Sequence, residues 1–269
     1  MPELPEVETT CRGIRPLLLG HTIEGAIVRR PKLRWPIPDL PTLLTGCTVQ
    51  NIQRRAKYLL LDCGSGHLII HLGMSGSLRV LPKHTAPQKH DHIDIQFSNN
   101  CLRLRDPRRF GCVLWTSEPV ANHPLLKMLG PEPLSTAFEI DYLHQSAQKR
   151  RVAVKSLLMD GKVVVGIGNI YATEALFMAG IHPKRACHRI GKARLTKLVD
   201  AVKLILQQAI QQGGTTLRDF QREDGKPGYF RHQLQVYGRA QQPCLRCHKI
   251  LKQMTIGQRT TSYCGYCQR

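Results

Sequence analysis

Acidic side chains are scarce in this chain. Only 19 Asp and Glu stand against 39 Lys and Arg, a formal net charge of +20 over 269 residues. An excess that large argues for a polyanionic partner, nucleic acid first, although a merely solvated basic surface is the plainer alternative. No apolar run approaches the roughly 20 residues that a membrane span needs, so no membrane partner is expected. The first residues are acidic and lack an apolar core segment, so a secretory leader is not expected. Nucleotide cofactors are set aside as well: GIGNIY lacks the third glycine of a dinucleotide fingerprint, and no GxxxxGK(S/T) occurs. Tandem repeats and low-complexity tracts are missing too.

Ten cysteines are present, but six of them (Cys11, Cys47, Cys63, Cys101, Cys112 and Cys187) are scattered without paired spacing. With no leader, that pattern fits a reduced compartment better than a disulfide framework. The other four form CLRC, sixteen residues, then CGYC: Cys244, Cys247, Cys264 and Cys267. Two such knuckles match a zinc ribbon, in which four thiolates close the coordination sphere of one structural zinc and leave no position for activating water. The connecting hairpin carries Lys249, Lys252 and Arg259, suited to phosphate contacts.

The length and the 42% hydrophobic content suit a globular protein of two domains. Residues 2–19 place Leu4, Val7, Ile14, Leu17 and Leu18 at roughly helical spacing, with Gly20 as the stop. From there to Trp115 the pattern is of short strands: TIEGAIVRR, TVQNIQ, KYLLLD, HLIIHL, HIDIQF, CLRLRD and GCVLWT, an antiparallel sandwich or barrel. The expected domains are residues 1–116, a proline-rich linker over 117–135, a helical domain over 136–234 and a zinc finger over 235–269. Helices are expected over Ala137–Gln148, Val152–Met159, Asn169–Ala179 and Ala193–Gln212, the last stopped by Gly213 and Gly214.

The chain opens MPELPEVETT and places three of its few carboxylates, Glu3, Glu6 and Glu8, there. Proline and acidic residues suit the first turn of a helix, which explains the stretch without any chemistry. A second reading makes the terminus a reagent. With Met1 removed, Pro2 is a secondary amine, and an α-amino pKa near 8 leaves roughly a tenth of it neutral at pH 7. Such an amine attacks aldehyde-level carbon to give an iminium, with Glu3 adjacent as general acid or base.

PELPEVET, RRAKYLLL, HLGMSGSL, KHDHIDI, DPRRFG, VGIGNIYATEALF and GGTTLRDF, in this order ahead of the cysteine knuckles, closely resemble the bacterial formamidopyrimidine-DNA glycosylase family. The resemblance runs through nearly the whole chain. It implies an α+β protein of two domains: an N-terminal antiparallel β-sandwich with an N-terminal helix, and a C-terminal helix-two-turn-helix domain with a zinc-ribbon finger. It also implies a DNA cleft between the two. The activity implied is that of a DNA glycosylase/AP lyase, which flips an oxidised purine out of double-stranded DNA. Pro2 matches the nucleophile at C1′, and Glu3 the proton donor that assists base loss. Lys57 matches the lysine assigned to β-elimination, and Arg259 the phosphate-gripping residue assigned to δ-elimination. On the residues alone, Lys57 reads as a strand-edge cation and Arg259 as a solvated loop charge.

Met74, Arg108 and Phe110 match the family's three side chains that fill the hole left by the flipped base; without that match, Met and Phe read as core and Asp106-Pro107 as an ordinary turn. Candidates for phosphate contact are His90, Lys155, Asn169 and the basic run Lys149, Arg150, Arg151. Asn169 reads as a helix N-cap, and the basic run equally as a solvated helix face. GGTTLRDFQREDGKPGYF resembles the family's lesion-capping loop, or caps a helix after its two glycines. Two alternatives stand beside this reading: an endonuclease VIII-like enzyme for oxidised pyrimidines, whose PEGPE start fits less well, and a non-enzymatic zinc-ribbon DNA-binding protein. A monomer in the cytoplasm, associated with the nucleoid, is expected.

Overall fold

The computed structural model describes residues 2–215 and 230–269. Helix α1 (Leu4–Leu18) follows Glu3, which is extended at φ −101° and takes the N-cap position, with Pro5 in the first turn. Leu4, Val7, Cys11, Ile14 and Leu18 recur every three or four residues and are all buried, the last four in the core of a β-sandwich. Gly20 turns the chain away at φ +78°, a conformation open to glycine at little cost.

The sandwich consists of two antiparallel four-stranded sheets. One has the order β1 (Gly25–Val28), β6 (Asp91–Gln96), β7 (Asn100–Arg105), β5 (Ser77–Pro82). The other has the order β2 (Asn51–Arg55), β3 (Tyr58–Asp62), β4 (His67–His71), β8 (Cys112–Thr116). Alternate side chains from both sheets, among them Leu59, Leu61, Leu68, Ile70, Ile93, Ile95, Leu102 and Leu104, join those of α1 in one core. β5 and the short helix α2 (Leu40–Leu44) are the two elements of this half that the sequence pattern does not announce. Pro82 ends β5, and it is tolerated because β5 is an edge strand. The register of β6 on β7 slips between Asp91 and Ile93, a bulge at His92.

The second half is helical: α3 (Ile140–Gln148), α4 (Val154–Met159), α5 (Asn169–Met178) and α6 (Lys192–Gln211), followed by the hairpin β9 (Lys252–Ile256) and β10 (Arg259–Tyr263). α5 is buried from Ile170 to Phe177 and so carries no polar stripe, whereas α6 buries Leu195, Leu198, Val202, Ile205 and Ala209 on one face. The basic run Lys149, Arg150, Arg151 lies between α3 and α4, with Lys149 as the C-cap of α3, so it does not form a solvated helix face.

The chain divides into two compact units, Met1–Lys127 with Gln212–Arg231 and Met128–Gln211 with His232–Arg269. Among the described residues no helix is long and apolar enough to cross a membrane.

Candidate active site

In the first unit the three N-terminal carboxylates have separate tasks. Glu6 is buried, and its Oε2 accepts the N–H of Glu3 at 2.8 Å while its Oε1 accepts the N–H of Thr215 at 2.7 Å. It therefore fixes the backbone immediately after Pro2 and also the last described residue before 216. Gly214, at φ +82°, leaves room for this contact, since a Cβ there would stand 3.0 Å from Glu6 Oε1. Glu8 accepts from Arg12 Nε at 2.7 Å and from Arg54 Nε at 2.8 Å. Although burial opposes it, these two guanidinium groups hold the Glu8 carboxyl below its ordinary range. Arg54 also donates to the carbonyl of Ala56 at 3.0 Å, which ties α1 to the hairpin turn before Lys57. Pro2 and Glu3 are themselves buried.

Lys57 belongs to the two-residue turn between β2 and β3, not to the strand edge, and it follows Ala56, whose φ of +54° is sparsely populated for a residue with a Cβ. Next to it stands a residue that the sequence pattern missed. His71 ends β4 opposite Tyr58, with their rings 4.9 Å apart, and its Nδ1 accepts the N–H of Gly73 at 2.9 Å. Burial first, and then the charges of Lys57 and Arg34, push its pKa down to about 4. A neutral ring that accepts at Nδ1 carries its proton on Nε2, so His71 presents a hydrogen-bond donor without a charge.

Met74 occupies the turn after His71 and is partly buried, while Arg108 and Phe110 are exposed in the loop between β7 and β8. The Arg108 guanidinium lies over the Phe110 ring, 4.9 Å from its centre. His90, at φ +77°, precedes β6. Desolvation and the surrounding charges of Lys89, Arg105 and Arg109 lower its pKa. The loop before it is held by the buried Arg103, which meets Asp94 through Nε and Nη2, both at 2.7 Å, and donates to the carbonyls of Thr85 and Ala86.

In the second unit Asn169 does not cap α5. Gly168 holds the N-cap position, so the Asn169 side chain is free to bridge two other elements. Its Oδ1 accepts from Lys155 Nζ at 2.5 Å, and its Nδ2 donates to the carbonyl of Thr260 at 3.0 Å. Lys155 is fully buried and also donates to Thr261 Oγ1 at 2.6 Å. Its ammonium therefore holds the hairpin from inside. Arg259 is exposed at the first position of β10, after the two-residue turn Gly257-Gln258, both at positive φ. Arg150 spends one donor on the carbonyl of Ser146, and Arg151 is exposed. Glu174 is a further buried carboxylate, one that the sequence pattern missed. It accepts the N–H groups of Gln235, Val236 and Tyr237 at 2.7–3.0 Å and anchors the chain where it leads to the cysteine knuckles.

The ligand atoms of Cys244, Cys247, Cys264 and Cys267 all lie within 4.8 Å of one another. Two of the sulfur pairs stand at 4.0 and 3.5 Å, close to the edge of about 3.8 Å that a tetrahedron with 2.3 Å metal–sulfur bonds requires. The N–H of Cys267 points at Cys264 Sγ from 3.4 Å. Four soft donors in this arrangement fit a metal ion.

Two family models match the chain: the one described as "Formamidopyrimidine-DNA glycosylase N-terminal domain" over residues 1–113, and the one described as "Formamidopyrimidine-DNA glycosylase H2TH domain" over residues 129–221. The chain belongs to the formamidopyrimidine-DNA glycosylase family. Relatives of that name from Xanthomonas euvesicatoria pv. vesicatoria and Shewanella loihica are 59% and 56% identical to it, over all of this chain and 100% and 99% of theirs. Among solved structures, the family member from Thermus thermophilus is similar with a TM-score of 0.89 at 36% identity, covering 99% of this chain and 98% of that one. The Lactococcus lactis protein, solved in complex with DNA containing N7-benzyl-Fapy-dG, superposes with a TM-score of 0.92 at 33% identity over the whole of both chains. The family thus covers the sandwich and the helical domain alike, which a zinc-ribbon binder without enzymatic chemistry would not account for. The stretch likened to the family's lesion-capping loop lies outside the described residues apart from Gly213, Gly214, Thr215 and Phe230.

Proposed function

We propose that the protein is a bifunctional DNA glycosylase/AP lyase of base excision repair, acting on oxidised purines such as 8-oxoguanine and formamidopyrimidines in double-stranded DNA. The observation that carries this reading is the N-terminus. A buried glutamate, Glu6, fixes the backbone N–H of Glu3, so Pro2 starts from a held position beside a carboxylate. Holding a reactant in one geometry removes entropy from the barrier before the reaction begins.

With Met1 removed, the Pro2 nitrogen bonds to C1′ of the extruded nucleoside, and the C1′–base bond breaks as the base takes up a proton. Glu3 supplies the proton that opens the sugar ring and leaves an iminium between Pro2 and C1′. The iminium acidifies C2′–H. Removal of that proton, with Lys57 assisting, expels the 3′ phosphate, and a second elimination, with Arg259 on the phosphate, expels the 5′ one. Met74 and Phe110 fill the vacated stack while Arg108 meets the orphaned base.

His90, Arg150, Arg151 and Asn169 are assigned to phosphate contacts, with Lys155 setting the hairpin that carries Arg259. The four cysteines hold one zinc ion, which shapes that hairpin and takes no part in the chemistry.

The test is a borohydride trap. With borohydride, a duplex containing 8-oxoguanine is expected to become covalently attached to the protein; without it, the same duplex is expected to be cut on both sides of the sugar. Pro2→Gly should bind the duplex with near-normal affinity and lose most of the trapped product. Unchanged trapping by that variant would move the nucleophile to a lysine.

A further inference from the structure

The turn carrying Met74 joins β4 to β5, and the loop carrying Arg108 and Phe110 joins β7 to β8. They are separated by some thirty residues of chain, yet one fully buried side chain links them. Asp106 accepts the Ser75 hydroxyl at 2.9 Å through Oδ1 and the Gly111 N–H at 2.8 Å through Oδ2. Ser75 Oγ in turn accepts the N–H of Arg108 at 3.2 Å. The backbone of Asp106 adds a third stretch: its N–H donates to the carbonyl of His90 at 3.1 Å, and its own carbonyl accepts from His92 Nε2 at 2.9 Å.

A second, independent observation joins the same two loops. A Cβ built on Gly73 would stand 2.4 Å from the backbone nitrogen of Gly111 and from the carbonyl carbon of Phe110, and one on Gly111 would stand 2.7 Å from the carbonyl oxygen of His71. The two backbones therefore touch, and only glycine permits that approach.

We infer that Asp106 is a positioning residue for the reaction: through Ser75 and Gly111 it locks the Met74 turn and the Arg108–Phe110 loop into one rigid insertion head, so that three side chains enter the duplex in a single event. The inference rests on the reading of Met74, Arg108 and Phe110 as the side chains that fill the stack. Two loose loops would each have to be ordered at the moment of insertion, and a preassembled head removes that cost from the rate. A carboxyl group with no exposure has to be hydrogen-bonded on both oxygens to be tolerated, and here both bonds go to the two loops being joined.

The experiment follows 2-aminopurine placed beside the lesion in stopped-flow fluorescence, together with single-turnover base excision and thermal unfolding. Ser75→Ala and Asp106→Ala are expected to slow insertion and excision roughly tenfold, the worth of about one net hydrogen bond. Asp106→Asn should stay within about threefold of the parent, because an amide oxygen can keep the Gly111 N–H while its NH₂ donates to Ser75 Oγ. Ser75→Ala combined with Phe110→Ala should be no slower than Phe110→Ala alone, since a head without its tip gains nothing from being locked.

Additive losses in that double variant, or parental insertion rates in folded Ser75→Ala and Asp106→Ala proteins, overturn the proposal. If Phe110→Ala itself inserts at the parental rate, the stack-filling reading fails first and the proposal falls with it. Should Asp106→Ala not fold, Ser75→Ala, which leaves the Gly111 contact in place, decides alone.

Discussion

His71 offers a prediction whose size follows from its surroundings. The pKa of His71 is pushed down to about 4, against an ordinary value of 6.5, because protonation would charge a partly buried, desolvated ring beside Lys57 and Arg34 and would remove the Nδ1 lone pair that accepts the Gly73 N–H. Above pH 6.5 the ring is neutral whether the chain is folded or not, and it adds nothing to the pH dependence. Between pH 6.5 and 4 the unfolded chain takes up a proton that the folded chain refuses, so stability falls as the pH falls. The full span is about 3 kcal/mol, at ~1.4 kcal/mol per pH unit of depression. Between pH 7.5 and 5.5 the loss works out at roughly 1.3 kcal/mol.

Urea denaturation of the first unit's transition at those two pH values, for the parent and for His71→Gln, isolates the contribution, because other titrating groups are common to both proteins. The parent should lose about 1.3 kcal/mol more than the variant. The imidazole Cε1–H resonance of His71, followed by NMR, should titrate well below pH 5. A resonance that titrates near 6.5, or equal losses in the two proteins, would refute the assignment of a neutral donor next to Lys57.

Glu6→Gln keeps one acceptor for the Glu3 and Thr215 N–H groups and turns a donor toward the other. A loss of about 2 kcal/mol in unfolding free energy is expected, together with slower borohydride trapping at saturating DNA, and an unchanged trapping rate would deny Glu6 its hold on the terminus. Lys155→Met leaves Asn169 Oδ1 and Thr261 Oγ1 without their donor at a cost of roughly 1–3 kcal/mol, and should weaken binding of an abasic duplex by loosening the hairpin of Arg259. One equivalent of zinc per chain is expected by elemental analysis. Cys264→Ser should lower that content, speed amide exchange across β9 and β10, and reduce DNA affinity at least tenfold, because Cys264 directly follows β10 and is buried in the cluster beneath the hairpin.

The features legible in the sequence are those written in local patterns. The apolar spacing of α1 and α6, the short apolar runs of β3 and β4, the alternate isoleucines of β6, and the two cysteine knuckles all depend on neighbours a few residues away. Failures occur where distant contacts decide. β5 ends on a proline that only an edge position tolerates, and α2 is five residues long with Pro41 in its first turn. Asn169 has the residue type of a cap, but Gly168 takes that place and Asn169 reaches instead to Lys155 and Thr260. His71 reads as an ordinary strand residue until Tyr58, Lys57 and Gly73 are brought to it. Asp106, followed by a proline, has the signature of a turn, and nothing nearby in the chain points to Ser75, 31 residues earlier.

Peptide mapping of the borohydride-reduced adduct locates the atom that bonds to deoxyribose. Mass spectrometry of the digested complex should place the sugar remnant on the nitrogen of Pro2 in a peptide that begins at that residue. A remnant on Lys57 or any other lysine, or an adduct formed by protein that still carries Met1, would contradict it.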